Sequence, residues 1–172
     1  MMHIVLIEPE IPQNTGNIAR TCAATGAALH LIKPLGFSLD DRYLRRAGLD
    51  YWSMAQVSIH DDFPALMAAY PGLPVFLFTT KGARPYTSYQ YPRDAMLVFG
   101  RETRGLPEAL LRRYPDHCAR VPMREGARSL NLSNSVAIAL YEALRQQEFP
   151  GLLGEGVLTG REEESPPWLD YV

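Results

Sequence analysis

Cysteine is scarce in this sequence, and that scarcity limits the chemistry available to the chain. Cys22 and Cys118 are the only cysteines among 172 residues, and neither belongs to a CxxC motif or a histidine-rich cluster. A zinc site is therefore not expected, and no disulfide framework is implied. We expect two buried free thiols, no bound metal and a cytoplasmic location, where thiols stay reduced.

Long hydrophobic runs and the common nucleotide-binding motifs are also absent. No apolar run is long enough to cross a bilayer, and the first residues have neither a basic leader nor a small-residue cleavage site. We therefore expect no membrane segment and no signal peptide. The sequence has no GxxxxGK[ST], no GxGxxG after its first apolar run and no GxSxG. These absences argue against a P-loop ATPase, the usual Rossmann enzymes and an α/β-hydrolase.

Net positive charge is missing as well, although nucleic-acid-binding proteins often have it. The formal net charge is −2, but residues 150–172 alone carry −4, which leaves +2 on the rest of the chain. Most arginines of that larger part occur in clusters: Arg42, Arg45 and Arg46; Arg101 and Arg104; Arg112 and Arg113; and Arg120, Arg124 and Arg128. These clusters could bind phosphates, and the alternative is that they form solvated helix faces.

The apolar residues alternate between short runs and helical periodicity, which is typical of an α/β protein. The short runs lie between glycines and prolines, as expected of parallel strands covered on both faces. Strands are predicted at residues 3–8, 28–33, 56–60, 75–80, 95–100 and 117–122, and helices at about 14–25, 39–47, 62–70, 107–114 and 131–148. Asn14 or Thr15 is the expected cap of the first helix, and Gly26 its end. These elements predict a mostly parallel sheet flanked by helices.

The chain divides into one domain and a tail. Residues 1–150 have a normal size for a single domain, and 47% of all residues are hydrophobic, which is enough for an ordinary core. Residues 151–172 have no periodicity, carry a run of glutamates and end in aromatic and apolar residues. We expect this segment to be an acidic, mobile tail.

Three segments are more polar than structure alone requires. Residues 14–20 (NTGNIAR) open a helix after a strand, residues 99–107 (FGRETRGLP) follow another strand, and residues 121–136 run from VPM to SLNLSNSV. In open α/β sheets, ligands bind beyond the carboxyl ends of the strands. The third segment places five serines and asparagines at the start of a helix, although one is enough for a cap. The structural alternative for each segment is a tight turn followed by a helix start.

In this order and spacing, the three segments resemble the three motifs of the SPOUT class of RNA methyltransferases. The resemblance covers about residues 2–150 and extends to LHLIKPLGF and DDRYLRRAGLDYW. Within the class, the sequence is most similar to enzymes that methylate the 2′-hydroxyl of the tRNA wobble nucleotide, cytidine 34 or 5-carboxymethylaminomethyluridine 34. The resemblance implies an α/β fold with a deep C-terminal trefoil knot and a homodimer. It also implies S-adenosylmethionine as methyl donor, S-adenosylhomocysteine as product and the tRNA anticodon stem-loop as partner.

The resemblance also implies roles for individual residues. Carried over position by position, the residues expected around the cofactor are Phe78, Thr79, Gly100, Leu106, Val121, Ser129 and Leu130. Those expected at the RNA are Asn14, Arg20, Arg42, Arg45, Arg46 and Arg104. The candidates for proton transfer, or for stabilising the developing oxyanion, are Arg20, Glu102, Asn131 and Tyr141.

Arginine is an unsuitable general base, because its deprotonation at neutral pH costs about 8 kcal/mol when its pKa is about 13. We therefore expect Arg20 to bind a phosphate or the nascent oxyanion, with a phosphate oxygen or Tyr141 acting through water as the base. Two alternatives stay open. One is an enzyme of the same class with another tRNA or ribosomal RNA target, and the other is a non-catalytic RNA-binding module on the same fold.

Overall fold

The structure is a computed structural model that describes residues 1–38 and 54–158. The strands are β1 (His3–Ile7), β2 (Ala28–Ile32), β3 (Gln56–His60), β4 (Val75–Phe78), β5 (Arg84–Pro85), β6 (Met96–Phe99) and β7 (Cys118–Arg120). The α-helices are α1 (Pro12–Thr25), α2 (Phe63–Ala69), α3 (Glu108–Leu111) and α4 (Leu132–Arg145), and short 3₁₀ turns occupy Tyr86–Ser88 and Pro115–His117. The helix predicted at residues 39–47 lies outside the described residues.

Every strand pair in the sheet is parallel, and the order across the sheet is β3-β2-β1-β6-β4-β7-β5. All residues of β1, β2, β4 and β6 are buried, as expected of parallel strands covered on both faces. The prediction of a mostly parallel α/β fold is therefore confirmed. The short strand β5 was not predicted, because Arg84–Pro85 has no apolar pattern.

The two faces of the sheet carry separate apolar clusters. On one face, α1 and α4 pack against the sheet and against each other, and the cluster includes Ile18 of α1 and Leu140 of α4. On the other face, Leu66 of α2 and Leu111 of α3 belong to the second cluster. The predicted buried stripe of α4 is confirmed at Val136, Leu140 and Leu144. Its first member, Leu132, is only half-buried and lines a cavity instead.

Helix α1 begins earlier than the sequence predicted. Its N-cap is Ile11, which makes no side-chain cap hydrogen bond, and Pro12 follows at a position where proline costs no helical hydrogen bond. The prediction of Asn14 or Thr15 as the cap was wrong, because Asn14 lies within the first turn and its side chain bonds elsewhere. The helix ends as predicted at Gly26, which adopts the left-handed conformation with φ 71°.

The two cysteines are buried, as predicted, and burial raises the pKa of the Cys22 thiol to about 12. Neither thiol therefore has the thiolate character that reactive cysteines need. Within residues 1–38 and 54–158, no helix is long and apolar enough to cross a membrane.

Three histidines on adjacent strands form a hydrogen-bonded row on the α2 face of the sheet. The Nδ1 atom of His3 lies 2.9 Å from Nε2 of His30, and Nδ1 of His30 lies 3.1 Å from Nε2 of His60. The ring of Tyr70 packs edge-on against this row, with its centroid 5.0 Å from that of His30. His30 is 1% exposed, so the row is a polar element inside the apolar core.

We expect this row to make the stability of the fold depend on pH. Burial, with smaller contributions from His3 and His60, lowers the pKa of His30 from 6.5 to about 4. The unfolded chain therefore binds a proton at this residue below pH 6.5, whereas the folded protein does not until the pH approaches 4. Stability that is fully present above pH 6.5 is thus lost as the pH falls. Between pH 8 and pH 5, this one residue should lower the free energy of unfolding by about 2 kcal/mol.

Urea denaturation at the two pH values measures this change, and the His30→Gln variant is the comparison. Only the difference between the two pH values matters, so a general loss of stability in the variant does not obscure the result. An equal decrease in the variant and the unaltered protein would show that His30 is not responsible.

Candidate active site

Four loops meet at the carboxyl edge of the sheet. They follow β1, β6, β4 and β7, which lie side by side in that order. Because parallel strands end at the same edge, residues far apart in the sequence meet there. The loops, with the starts of α1 and α4, line a cavity of about 580 Å³, which is within the size range of small-molecule sites. The structure thus brings segments 78–80, 100–106 and 121–131 together in one hollow.

Most of the residues that the sequence singled out line this cavity. They are Asn14, Phe78, Thr79, Gly100, Glu102, Arg104, Leu106, Val121, Ser129, Leu130 and Asn131. Arg20 on α1 and Tyr141 on α4 do not line it, and both are exposed. The predicted RNA-binding residues Arg42, Arg45 and Arg46 lie outside the described residues.

The lining also includes residues to which the sequence assigned no individual role. Lys81 and Met123 lie in loops, Leu132 was predicted only as part of the buried stripe, and Arg128 only as a member of an arginine cluster. Charge clustering along the chain could have drawn attention to Arg128. It could not have separated Arg128 from Arg124, which has the same charge and exposure but does not line the cavity.

The buried wall of the cavity is apolar and rigid. The ring of Phe78 at the end of β4 stacks on that of Phe99 at the end of β6, with 4.8 Å between centroids and 18° between planes. Leu106 is a buried residue of the same lining, and Val121 is half-buried just after β7. Flat, apolar surfaces of this kind suit the faces of an aromatic base such as adenine.

A chain of hydrogen bonds joins the three polar segments. The Glu102 carboxylate accepts bonds from the backbone N–H of Glu10 at 2.9 Å, from that of Ile11 at 3.2 Å and from Nδ2 of Asn14 at 3.0 Å. Oδ1 of Asn14 in turn accepts a bond from Nδ2 of Asn131 at 3.0 Å. Glu102 therefore fixes the loop before α1 to the loop after β6, and Asn14 extends the connection to α4.

Asn131 ends this chain as the N-cap of α4. Its Oδ1 accepts bonds from the backbone N–H groups of Ser133 and Asn134, and from the Ser133 hydroxyl at 2.6 Å. These bonds satisfy N–H groups that have no partner within the helix. Asn131 thus needs both ends of its amide to hold the start of α4 beside α1.

The loop after β6 is folded tightly on itself. The N–H of Gly105 donates to the carbonyl of Arg101 at 2.8 Å, and Gly105 has φ 68°, which favours glycine. A Cβ atom added at Gly100 would lie 2.2 Å from the carbonyl carbon of Gly105 and 2.4 Å from the nitrogen of Leu106. Gly100 therefore permits the close backbone approach that gives this side of the cavity its shape.

Within residues 1–38 and 54–158, no group of three histidine, cysteine, aspartate or glutamate side chains is placed to hold a metal ion. The cavity at the carboxyl edge of the sheet is instead partly apolar, with hydrogen-bonding and cationic groups at its rim.

Comparison with known proteins places the chain in a family. Residues 1–141 match the SpoU rRNA Methylase family, and this range includes the three polar segments. The chain belongs to the SpoU rRNA Methylase family. The prediction of an RNA methyltransferase family is therefore confirmed.

Two relatives with close similarity extend the SpoU family match over most of the chain. The tRNA (cytidine(34)-2'-O)-methyltransferase of Burkholderia pseudomallei (strain 1106a) is 53% identical over 154 residues, which are 88% of this chain and 99% of that protein. A solved structure described as giving structural insights into the 2-OH methylation of C/U34 on tRNA is 48% identical. It has a TM-score of 0.83 and covers 86% of this chain and 97% of its own.

A more distant SpoU structure contains the cofactor. The SpoU methyltransferase AviRb from Streptomyces viridochromogenes, in complex with AdoMet, has a TM-score of 0.75 at 25% identity. The alignment covers 85% of this SpoU-family chain and 60% of AviRb.

Proposed function

We propose that this protein transfers a methyl group from S-adenosylmethionine to the ribose 2′-hydroxyl of nucleotide 34 of tRNA. The observation that carries the proposal is the cavity shared by segments 78–80, 100–106 and 121–131 and joined by the Glu102–Asn14–Asn131 hydrogen bonds. A relative whose name states this activity is 53% identical and covers 88% of the chain, which supports the assignment of nucleotide 34. A tRNA substrate also supports a cytoplasmic location.

The residues of the cavity fit S-adenosylmethionine. Its size suits a small molecule, its buried wall suits a nucleoside base, and its rim offers polar groups to the charged end of the cofactor. The residues that would hold the cofactor are Phe78, Thr79, Gly100, Leu106, Val121, Ser129 and Leu130. When bound, S-adenosylmethionine supplies an electrophilic methyl group on its sulfonium, and S-adenosylhomocysteine is the product.

We propose that the C-terminal part of the domain is a deep trefoil knot, as the family resemblance implies. Independently of the knot, two glutamines just after α4 hold that end of the helix against the loop between β5 and β6. Gln146 donates to the carbonyl of Tyr89 and accepts from the N–H of Tyr91, and Gln147 donates to the carbonyl of Tyr91. Leu152 packs on the core just beyond the proposed domain end at residue 150, and the proposed tail comprises residues 151–172.

The proposed enzyme acts as a homodimer whose RNA site, including that for the anticodon stem-loop, is formed by both subunits. An exposed apolar strip on α4, with Ile138 36% exposed and Tyr141 47% exposed, supports a protein contact there. Arg20 and Tyr141 lie outside the cavity lining of one chain. In the proposed dimer, both would act at the RNA site across the interface.

In this proposal the residues of the chain orient the ribose, exclude water and stabilise charge on its 2′-oxygen. The guanidinium of Arg20 binds either a phosphate or the developing oxyanion. The proton leaves to a phosphate oxygen, or passes through water to the Tyr141 oxygen while the Tyr141 hydroxyl releases its own proton to solvent. Glu102 and Asn131 are positioning residues, because hydrogen bonds within the protein occupy both side chains.

We expect the Arg20→Ala variant to transfer methyl groups at least about 100-fold more slowly, because it lacks a cation at the reacting oxygen. Its affinity for S-adenosylmethionine should not change, since Arg20 does not line the cavity. Single-turnover rates and calorimetry measure the two quantities. The Arg113→Ala variant, which removes another exposed arginine outside the lining, is the matched control. Full turnover by Arg20→Ala would remove Arg20 from the mechanism.

The proposed function is tested with purified protein, labelled S-adenosylmethionine and unmodified tRNA transcripts. Mass spectrometry of nuclease fragments should locate one 2′-O-methyl group at nucleotide 34, and a transcript with 2′-deoxyribose at that nucleotide should accept none. A methyl group at another nucleotide would contradict the assigned target. Binding of cofactor and RNA without transfer would contradict catalysis and favour a non-catalytic module.

A further inference from the structure

The cations that line the cavity differ in whether a carboxylate neutralises them. Lys81 forms an ion pair with Glu108, and Arg101 forms one with Glu8. In both pairs the carboxylate belongs to the same chain, so each of these two cations already has an anionic partner. The exposure of their side chains is partial, with 35% for Arg101 and 59% for Lys81.

Arg104 and Arg128 differ from these two residues because they form no ion pair with a described residue. Both line the cavity and are exposed, and neither has an ion-pair or hydrogen-bond partner in the part of the chain that the structure describes. Arg104 stands on the tight turn that ends at Gly105. Arg128 follows a turn that is closed by a bond from the N–H of Ala127 to the carbonyl of Arg124. Two separate loops therefore each present a guanidinium without a counter-ion to the same cavity.

Neither arginine forms an ion pair with a carboxylate of the described lining. Glu102 is the acidic residue of that lining, and its two oxygens accept bonds from the backbone N–H groups of Glu10 and Ile11 and from Nδ2 of Asn14, not from either arginine. The cofactor of the proposed function does not neutralise them either. Its sulfonium and its ammonium outnumber its one carboxylate, so bound cofactor adds positive charge to the cavity. A further anion is therefore the ligand that fits these two arginines.

We propose that Arg128, together with Arg104, binds backbone phosphates of the substrate RNA next to the methylated ribose. The inference rests on the proposed function, since it assigns the RNA contact of that same site. A guanidinium presents a planar pair of N–H donors that matches two phosphate oxygens. The two arginines belong to the loops after β6 and β7, which also supply cofactor-lining residues Gly100 and Ser129. Contacts of Arg104 and Arg128 with the phosphates would therefore fix the position of the ribose relative to the methyl donor.

The test is the salt dependence of tRNA binding by the full-length protein. Each phosphate contact releases counter-ions, so its loss makes the negative slope of log Kobs against log salt shallower by about 0.7 for a single-stranded loop. We expect the Arg128→Ala variant to show this decrease and to bind an unmodified tRNA transcript about tenfold more weakly at low salt. Arg128→Lys retains the cation and should retain the slope. Arg124→Ala is the matched control, because it removes an exposed arginine of the same loop that does not line the cavity.

Calorimetry with S-adenosylmethionine separates the possible anions. An unchanged cofactor affinity with a reduced salt slope supports the phosphate contact. A reduced cofactor affinity with an unchanged slope overturns it and assigns Arg128 to the cofactor carboxylate. A slope equal to that of the Arg124→Ala control overturns it as well. If the unaltered protein methylates nucleotide 34 while the slope does not change, only this inference fails. If the unaltered protein binds no tRNA, the proposed function fails with it.

Discussion

Replacing Gly100 with alanine is expected to abolish cofactor binding. The new Cβ would lie 2.2 Å from the carbonyl carbon of Gly105 and 2.4 Å from its oxygen, and both are backbone atoms that cannot move aside alone. The loop after β6 would have to open, which displaces Leu106 from the buried wall of the cavity. We expect a loss of cofactor affinity of at least 100-fold and a decrease of about 1–3 kcal/mol in the free energy of unfolding. Calorimetry and urea denaturation measure the two effects.

Gly154→Ala is the control for this substitution. A Cβ at Gly154 meets no atom within 4 Å, and the residue is exposed beyond the core. This variant should bind the cofactor normally. If Gly100→Ala also bound it normally, the close approach of residues 100 and 105 would not be what shapes the cavity.

Replacing Glu102 with glutamine is expected to lower the rate of methyl transfer about 100-fold. We also expect a lower affinity for the cofactor and a lower free energy of unfolding. The carboxylate accepts from three donors, the N–H groups of Glu10 and Ile11 and the amide of Asn14. A glutamine brings an NH₂ group against at least one of these donors and leaves it unpaired. Each unpaired, partly buried donor costs about 1–3 kcal/mol. The loop before α1 would then lose its position relative to the cavity.

The combined loss distinguishes a positioning residue from a general base. If Glu102 accepted the proton of the ribose, Glu102→Gln would slow transfer but leave cofactor affinity and stability unchanged. Glu125→Gln removes a similar charge from an exposed loop residue outside the cavity lining and should change none of the three quantities.

Much of the fold could be predicted because local patterns determine it. Buried strands such as β4 and β6 are continuous apolar runs, and Val136, Leu140 and Leu144 mark α4 by their spacing. The start of α1 could not be predicted from local rules. Asn14 is a good capping residue in isolation, but its side chain is held by Glu102, which is 88 residues away. Long-range contacts of this kind override local propensity.

Much of the cavity lining could be predicted from the sequence, but the hydrogen bonds and ion pairs within it could not. The resemblance named Glu102 and Asn131, yet only the structure shows that hydrogen bonds within the protein occupy both. The sequence also could not show which arginines have a carboxylate partner and which do not. Arg101 and Arg104 are three residues apart, but the strand order places Glu8 at the end of β1, beside Arg101 alone. Partners that depend on strand order have no local signal in the sequence.

The bond between Asn14 and Asn131 spans 117 residues, and this has a consequence during protein synthesis. The ribosome makes β1 and α1 early, but the helix that completes the cavity is made only near the end of translation. A nascent chain must therefore carry α1 with part of its apolar face uncovered until α4 leaves the exit tunnel. We therefore expect the protein to be inactive until α4 has been made, and a chain truncated before α4 to have no activity.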